Sequence, residues 1–356
     1  MNPDDHRWMG AALALAERGR GRTAPNPNVG CVLVRDGRAV GRGWTQPGGR
    51  PHAEAVALTE AGDAARGATA YVTLEPCAHR SPRGPACADL LVAAGVARVV
   101  VALGDPDART DGAGLERLRA AGVEVSVGPR ADEARRSMAG FLTRQALDRP
   151  FVTLKLATSL DGCIALASGE SRWITGPEAR AHAHLERSRH EAILVGRGTW
   201  EADRPALDVR LPGLEGRSPR RVVLSASRHA GLEPASSEPE AESLAEGWTP
   251  AQGRGDGVAW ISAPEQITDL PGVDHLLVEG GARTAAAFLR ADLVDRLLLY
   301  RAPILIGGGL PSIADLGMTA LTEAHGRWQS YDARRLGADR LEVYERSACL
   351  PESSPT

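Results

Sequence analysis

One spacing constrains this chain more than any other. His52-Ala53-Glu54 is followed by Glu75-Pro76-Cys77 and then by Cys87. Imidazole and thiolate are donors that zinc prefers, and three protein ligands leave the fourth tetrahedral position to water. A fold that serves this set must gather residues 52, 77 and 87 around one point. Glu54, two residues from His52, is placed to handle the protons of that water. A closed zinc that only holds a fold together would need a fourth ligand, for which His79 is the only nearby candidate, and would leave Glu54 without a task.

The pattern is similar to the zinc-deaminase signature H-x-E followed by P-C-x-x-C, except that nine residues stand between Cys77 and Cys87. Residues 70–74 are β-rich and run to Pro76-Cys77, and Cys87 opens a helical stretch, so one ligand is expected at a strand end and another at a helix start. Residues 79–86 could then bulge outward without moving either. A helix N-terminus also favours the thiolate.

Length and charge narrow the partners. A chain of 356 residues suggests two domains, and a net charge of -3 offers no basic field for nucleic acid. Aromatic residues make up only 4%, too few for base-stacking platforms. No apolar run approaches the ~18 residues of a membrane span, and Met1-Asn2-Pro3-Asp4-Asp5 is acidic and lacks a signal-peptide pattern. The five cysteines, Cys31, Cys77, Cys87, Cys163 and Cys349, fit a reducing cytoplasm and a metal site better than a disulfide framework. Cys31 and Cys163 read as small core residues.

Along the chain, residues 6–18 form an amphipathic helix, followed by the turn-rich Ala24-Pro25-Asn26-Pro27-Asn28-Val29-Gly30, whose asparagine amides could meet a ligand. A hairpin over 31–34 and 39–43 turns at Asp36-Gly37. A helix is expected over 52–60, then strands over 97–103 and 123–127 and helices over 115–121 and 132–144. This alternation implies a layered α/β domain. Leu147-Asp148-Arg149-Pro150 marks a boundary. Beyond it, strands are expected at 151–158, 192–195, 221–224, 275–278, 297–300 and 341–344, with helices at 177–189 and 284–289. Residues 227–257 read as a long surface connection, and the end of the chain as a loose tail. The domains are thus 1–147 and 151–347, with a tail over 348–356.

The second half has its own candidate site. The strand at 275–278 runs into Glu279-Gly280-Gly281 and a helix, a geometry that lets backbone and a helix N-terminus approach a phosphate. By themselves two glycines equally suit a plain tight turn, and the dinucleotide fingerprint G-x-G-x-x-G is absent from a strand–helix junction. Lys155 in an otherwise apolar strand needs a partner. With Ser171-Arg172-Trp173-Ile174-Thr175 and the charged stretch from Asp203 to Arg210, it suggests a pocket for an anionic, polar ligand.

Together the two halves resemble the RibD family, in which a pyrimidine deaminase is fused to a dihydrofolate-reductase-like reductase of riboflavin biosynthesis. The matching stretches are 24–30, 51–54, 73–77, 103–106, 155–162, 168–175, 202–210 and 278–281, in the family's order, and the resemblance spans about residues 5–346. It implies an N-terminal cytidine-deaminase-like three-layer α/β/α domain and a C-terminal dihydrofolate-reductase-like α/β domain. It implies one zinc per chain on His52, Cys77 and Cys87, with Glu54 as proton shuttle. It implies NADPH contacts at Ala157, Trp173, Thr199, Asp203 and the run Gly281, Ala282, Arg283, Thr284, Ala285, Ala286 and Ala287. Substrate contacts would fall at Asn26 in the first half and at Lys155, Ser171, Arg187, Leu207, Arg210 and Glu279 in the second. The implied substrate is a phosphorylated pyrimidine, 2,5-diamino-6-(5-phosphoribosylamino)pyrimidin-4-one, whose phosphate Arg187 and Arg210 suit as bidentate donors. A homo-oligomer in the cytoplasm is expected, with no nucleic-acid or membrane partner. The chain departs from the family at Thr45, where many relatives carry histidine, at Ser225-Ala226, and in the segment 81–86. That segment leaves open an alternative in which the reductase works while the deaminase half is inactive or retargeted to a related pyrimidine. Two other readings compete: a nucleic-acid-editing deaminase, which leaves the second half unexplained, and a non-catalytic zinc-stabilised nucleotide-binding protein.

Overall fold

The structure, a computed structural model, describes residues 3–79, 84–225 and 257–347. The expected bulge before Cys87 therefore lies partly outside the described residues, and the connection over 227–257 and the tail from 348 lie almost wholly outside them. The chain divides into two compact units between Phe151 and Val152.

In the first unit, α1 (Pro3–Ala16) precedes the hairpin of β1 (Gly30–Arg35) and β2 (Arg38–Trp44). Then come α2 (Ala53–Ala61), β3 (Thr69–Val72), α3 (Cys87–Ala94), β4 (Arg98–Val101), α4 (Ala113–Ala120), β5 (Glu124–Val127), α5 (Ala131–Ser137) and α6 (Ala139–Leu147). The hairpin turns where expected, with Asp36 at φ 51° and Gly37 at φ 71°, the paired positive values a two-residue turn needs. The helix expected over 132–144 is instead two helices, because Met138 leaves helical geometry at φ -102°, ψ 20°. The strands form one sheet in the order β2-β1-β3-β4-β5. β3, β4 and β5 run parallel, while β1 pairs antiparallel with both β2 and β3. Leu33, Leu91 and Leu118 are fully buried in the core; burying such a side chain contributes roughly 1.5–3 kcal/mol.

Close backbone packing fixes the helix that carries the metal motif. A Cβ on Gly43 would fall 2.1 Å from the carbonyl oxygen of Ala53, and one on Gly41 2.2 Å from that of Ala57. The backbone of α2 lies directly on β2, and only glycine permits that approach. His52 caps this helix in extended geometry, and Glu54 sits in its first turn.

In the second unit, β6 (Phe151–Thr158) and β7 (Cys163–Ala165) precede α7 (Pro177–Arg187), β8 (Ala192–Gly196), α8 (Arg197–Asp203) and β9 (Arg220–Leu224). β10 (Val258–Ile261), β11 (His275–Val278), α9 (Ala282–Arg290), β12 (Arg296–Arg301), β13 (Leu310–Pro311), β14 (Trp328–Leu336) and β15 (Asp339–Arg346) follow. Eight of these strands form one sheet in the order β10-β9-β8-β11-β6-β12-β15-β14. The neighbours β10–β9, β9–β8, β8–β11 and β6–β12 are parallel, whereas β15 pairs antiparallel with β12 and β14. Sequence periodicity did not anticipate α8, β10 or β14. β14 is an edge strand whose side chains are mostly exposed, so it shows no apolar alternation. Among the described residues, no helix is long and apolar enough to cross a membrane.

Candidate functional site

In the first unit, the ends of two parallel strands open onto the metal motif. Beyond β3 the chain continues beside the end of β4, with the Glu75 N–H donating to the Leu103 carbonyl at 2.8 Å. Cys77 therefore lies five residues past β3, in a buried irregular segment rather than at the strand end expected for it. Cys87 is the first residue of α3, as expected. His52 Nδ1 stands 3.4 Å from Cys87 Sγ and 3.7 Å from Cys77 Sγ. Zinc bonds of about 2.3 Å to sulfur and about 2.0 Å to nitrogen, at tetrahedral angles, place those atoms about 3.6 Å apart. The three side chains thus already have the spacing of a zinc site. Their donor atoms lie within 4.8 Å of one another, and among the described residues no other side chain joins that cluster. His79 is not a fourth ligand, which favours an open site over a closed structural one.

The electrostatics match. The Cys87 N–H donates to Cys77 Sγ at 3.3 Å. Hydrogen bonding from Cys87, and then from His52, holds the Cys77 thiol well below the usual thiol range, which favours the thiolate a metal takes. Glu54 is 3% exposed, and burial pushes its carboxyl up, as suits a group that must both take and give a proton.

The pocket around this cluster measures about 310 Å³. Asn26, expected on the substrate, turns its amide nitrogen to the Gly49 carbonyl at 2.8 Å and to His52 Nε2 at 3.0 Å, which fixes the imidazole ring. Its role is at least partly to orient a ligand. Thr45 lines the same pocket and accepts the Val29 N–H through its hydroxyl. Glu75 was singled out only as part of the cysteine motif. Its carboxylate accepts the backbone N–H groups of Asp105, Gly112, Gly114 and Leu115 at 2.9–3.2 Å. It ties the segment after β4 to the start of α4 and so carries Asp105 and Asp107 to the pocket wall. Burial lifts the Asp105 carboxyl to about 7. Glu75 pairs with backbone far along the chain, so sequence reading had no local signal for it.

In the second unit, a cleft of about 880 Å³ is lined by Lys155, Ala157, Ser171, Trp173, Arg187, Asp203, Leu207 and Arg210, all positions singled out above. Thr199 and residues 281–287 do not line that cleft. They lie at the starts of α8 and α9, after the neighbouring parallel strands β8 and β11. Those two starts are close, since a Cβ on Gly281 would lie 3.8 Å from Thr199 Oγ1. A Cβ on Gly280 would collide with the Thr284 side chain at 2.4 Å, so Gly280 is more than a plain turn residue. Leu207 is buried at 4% with φ 55°. It packs into a cluster with Ile193, Val195, Val223 and Leu277, which anchors the charged stretch 203–210 in a conformation an exposed leucine would avoid.

Lys155 has the partner its burial demands: Nζ lies 3.8 Å from Glu279 Oε2 and over the Tyr300 ring. Arg187 also braces Glu279. Its Nε and Nη2 donate to the two Glu279 oxygens at 2.8 and 2.9 Å, and Nη1 donates to the Asp208 carbonyl at 3.0 Å. Three of its five N–H donors are so engaged, and one on each terminal nitrogen remains where Arg187 lines the cleft. The Arg210 side chain is 61% exposed and, among the described residues, is held through Nε to Asp208 at 2.8 Å.

Burial alone would raise Glu279, but Lys155 and the Arg187 fork overcome it and take the carboxyl down to about 2. A depressed carboxylate contributes stability above its unfolded value of about 4.5, and that contribution is lost as pH falls toward 2. The melting temperature of the second unit is therefore expected to drop across this window, and to drop less steeply in Glu279→Gln. Equal slopes in thermal melts of the two proteins would show that the ion pair contributes nothing.

An α/β unit presenting a His/Cys/Cys zinc site beside a buried glutamate, followed by an α/β unit with a charged cleft at its strand ends, defines a zinc-dependent deaminase joined to a reductase. Residues 2–103 match the cytidine and deoxycytidylate deaminase zinc-binding region, and residues 150–339 match the RibD C-terminal domain. The riboflavin biosynthesis protein RibD of Escherichia coli (strain K12) is 41% identical, over 94% of this chain and 97% of its own length. That of Aquifex aeolicus (strain VF5) is 38% identical over 96% and 98%. Among solved structures, Acinetobacter baumannii RibD superposes with a TM-score of 0.79 at 36% identity, covering 96% of this chain and 99% of that one. The Thermotoga maritima deaminase/reductase reaches 0.80 at 32% identity with the same coverage. The chain belongs to the RibD family, bifunctional deaminase–reductases of riboflavin biosynthesis that use zinc in the deaminase half and NADPH in the reductase half. Relatives that match along nearly their whole length, together with a gathered His52, Cys77 and Cys87 set, speak against an inactive or retargeted deaminase half.

Proposed function

We propose that residues 1–147 deaminate 2,5-diamino-6-(5-phosphoribosylamino)pyrimidin-4-one and that residues 151–347 reduce the ribosyl chain of the product to ribityl, giving 5-amino-6-(5-phosphoribitylamino)uracil. The observation that carries this reading is the convergence of His52, Cys77 and Cys87 beside a buried Glu54 in one pocket. Zinc, when held by those three residues, supplies a Lewis-acid centre that makes water acidic near neutral pH. Asn26 holds the His52 ring in the orientation that points Nδ1 at the sulfurs. Glu54 accepts a proton from water and delivers protons to the pyrimidine ring nitrogen and the departing ammonia.

In the reductase half, NADPH supplies the hydride. Ala157, Trp173, Thr199, Asp203 and residues 281–287 are assigned to the cofactor. Lys155, Ser171, Arg187, Leu207, Arg210 and Glu279 are assigned to the substrate. Arg187 positions Glu279, so that a fixed carboxylate and the Lys155 ammonium face the ribose-derived chain. Glu279 would repel a cofactor phosphate, which supports its assignment to the substrate. Arg210 receives the substrate phosphate. The protein acts in the cytoplasm as a homo-oligomer, without nucleic-acid or membrane partners.

The test is direct. Purified protein given the diaminopyrimidine phosphate should release ammonia first and oxidise NADPH only afterwards. NADPH oxidation without ammonia release would leave the reductase reading standing and defeat the deaminase one. Arg210→Ala should raise KM in the reductase step by about ten- to a hundred-fold, with a smaller defect on a dephosphorylated analogue. Equal defects on both would remove Arg210 from the phosphate.

A further inference from the structure

Among the described residues, one arginine lining the deaminase pocket has no ion pair. Besides Glu54, its walls carry the carboxylates of Glu75, Asp105 and Asp107, so a phosphorylated substrate needs a positive group there. Two arginines line the pocket, Arg50 and Arg109. Arg109 is engaged: its Nε donates to both Asp107 oxygens at 2.9 and 3.1 Å and its Nη2 to Oδ2. Arg50 makes no side-chain hydrogen bond or ion pair among the described residues.

Arg50 is also well placed. It stands two residues before His52, in extended backbone geometry, at the end of the short turn over Pro47–Gly49. The Asn26 amide grips the chain on both sides of it, at the Gly49 carbonyl and at His52 Nε2. Asn26 is so close that a Cβ on Gly49 would fall 2.8 Å from its Cγ. From this fixed backbone the guanidinium reaches across to the segment leading into Cys87, where its Nη1 would lie 3.2 Å from a Cβ on Gly84. The guanidinium therefore bridges the approaches to two of the three zinc ligands, with its hydrogen-bonding edge unclaimed.

We infer that Arg50 binds the 5′-phosphate of the deaminase substrate and sets the preference of this half for a phosphorylated pyrimidine. A planar guanidinium takes two phosphate oxygens at once, and the neighbouring carboxylates leave the anion little alternative. The assignment rests on the deaminase reading above and adds the residue that distinguishes a nucleotide from a nucleoside at this site.

The experiment compares wild type, Arg50→Ala and Arg50→Lys on the diaminopyrimidine phosphate and on the same compound after phosphatase treatment. Zinc content and reductase rate report whether each variant is intact. For Arg50→Ala, KM for ammonia release is expected to rise about ten- to a hundred-fold on the phosphorylated compound, with much less change on the dephosphorylated one. Arg50→Lys should recover part of the loss, because a point charge lacks the planar fork. Equal losses on both compounds would overturn the assignment and make Arg50 a support for the His52 segment alone. No loss on either would overturn it as well. Were wild type itself to release no ammonia, the deaminase reading would fall. Calorimetric titration of the phosphorylated compound, in an Arg210→Ala background with and without Arg50, would then still decide whether Arg50 binds the phosphate.

Discussion

Glu54→Gln is expected to lower ammonia release by about 10⁴-fold or more, while zinc content and NADPH oxidation on the deaminated intermediate stay at wild-type levels. The substitution preserves shape and removes only the ability to carry a proton. General acid–base catalysis contributes typically ~10²–10⁴-fold, and Glu54 is used more than once in each turnover, so the loss sits at the high end of that range or beyond. Burial favours so large an effect. At 3% exposure, no bulk water stands ready to replace the lost carboxylate, and its raised proton affinity is tuned to this pocket. The measurement is coupled ammonia detection on metal-analysed protein. Ammonia release within tenfold of wild type, with zinc retained, would show that another group moves the protons.

The second large effect concerns the metal. Cys87→Ser should reduce zinc from about one per chain to nearly none and abolish deamination with it. Cys87 does two jobs in this geometry. Its thiol faces His52 Nδ1 at 3.4 Å, and its N–H steadies the Cys77 sulfur at 3.3 Å. Serine keeps the backbone N–H contact, while its hydroxyl is a poor zinc donor, so the variant isolates ligation from folding. Treating wild type with a chelator should reproduce the same pattern, with the reductase still active because its cleft contains none of the three ligands. Elemental analysis decides the matter: a serine variant that retains its full zinc would remove Cys87 from the coordination set.

Chemistry written in residue types at fixed spacing was legible before any coordinates. His52, Glu54, Cys77 and Cys87 could be named as a unit because few other tasks explain that combination, and the structure gathers the three ligands within 4.8 Å. The hairpin at Asp36-Gly37 was legible for a similar reason, since the turn demands residues that accept positive φ. β6 and β11 were readable as short apolar runs buried on both sides. Edge strand β14 was not, because solvent on its exposed side chains erases the pattern. Nor was the break at Met138, where propensity continues but the packing of two helices does not.

What the sequence determined by itself was the ligand set, the order of the two α/β halves and the positions where charge must be answered by charge. Lys155 in an apolar strand required a partner, and desolvation is a property readable from composition alone. Which partner was decided only in three dimensions. Glu279 lies more than a hundred residues away in the chain; it meets Lys155 because β11 and β6 are neighbours in the sheet, and the Arg187 fork reaches it from the end of α7. The same applies to Glu75, whose four backbone donors come from residues 105–115. It applies to Arg50 too, whose guanidinium lies beside Gly84 in the segment leading into Cys87. Hydrogen bonds and ion pairs act over a few ångströms of space, and separation along the chain carries no information about that distance until the sheet order is set.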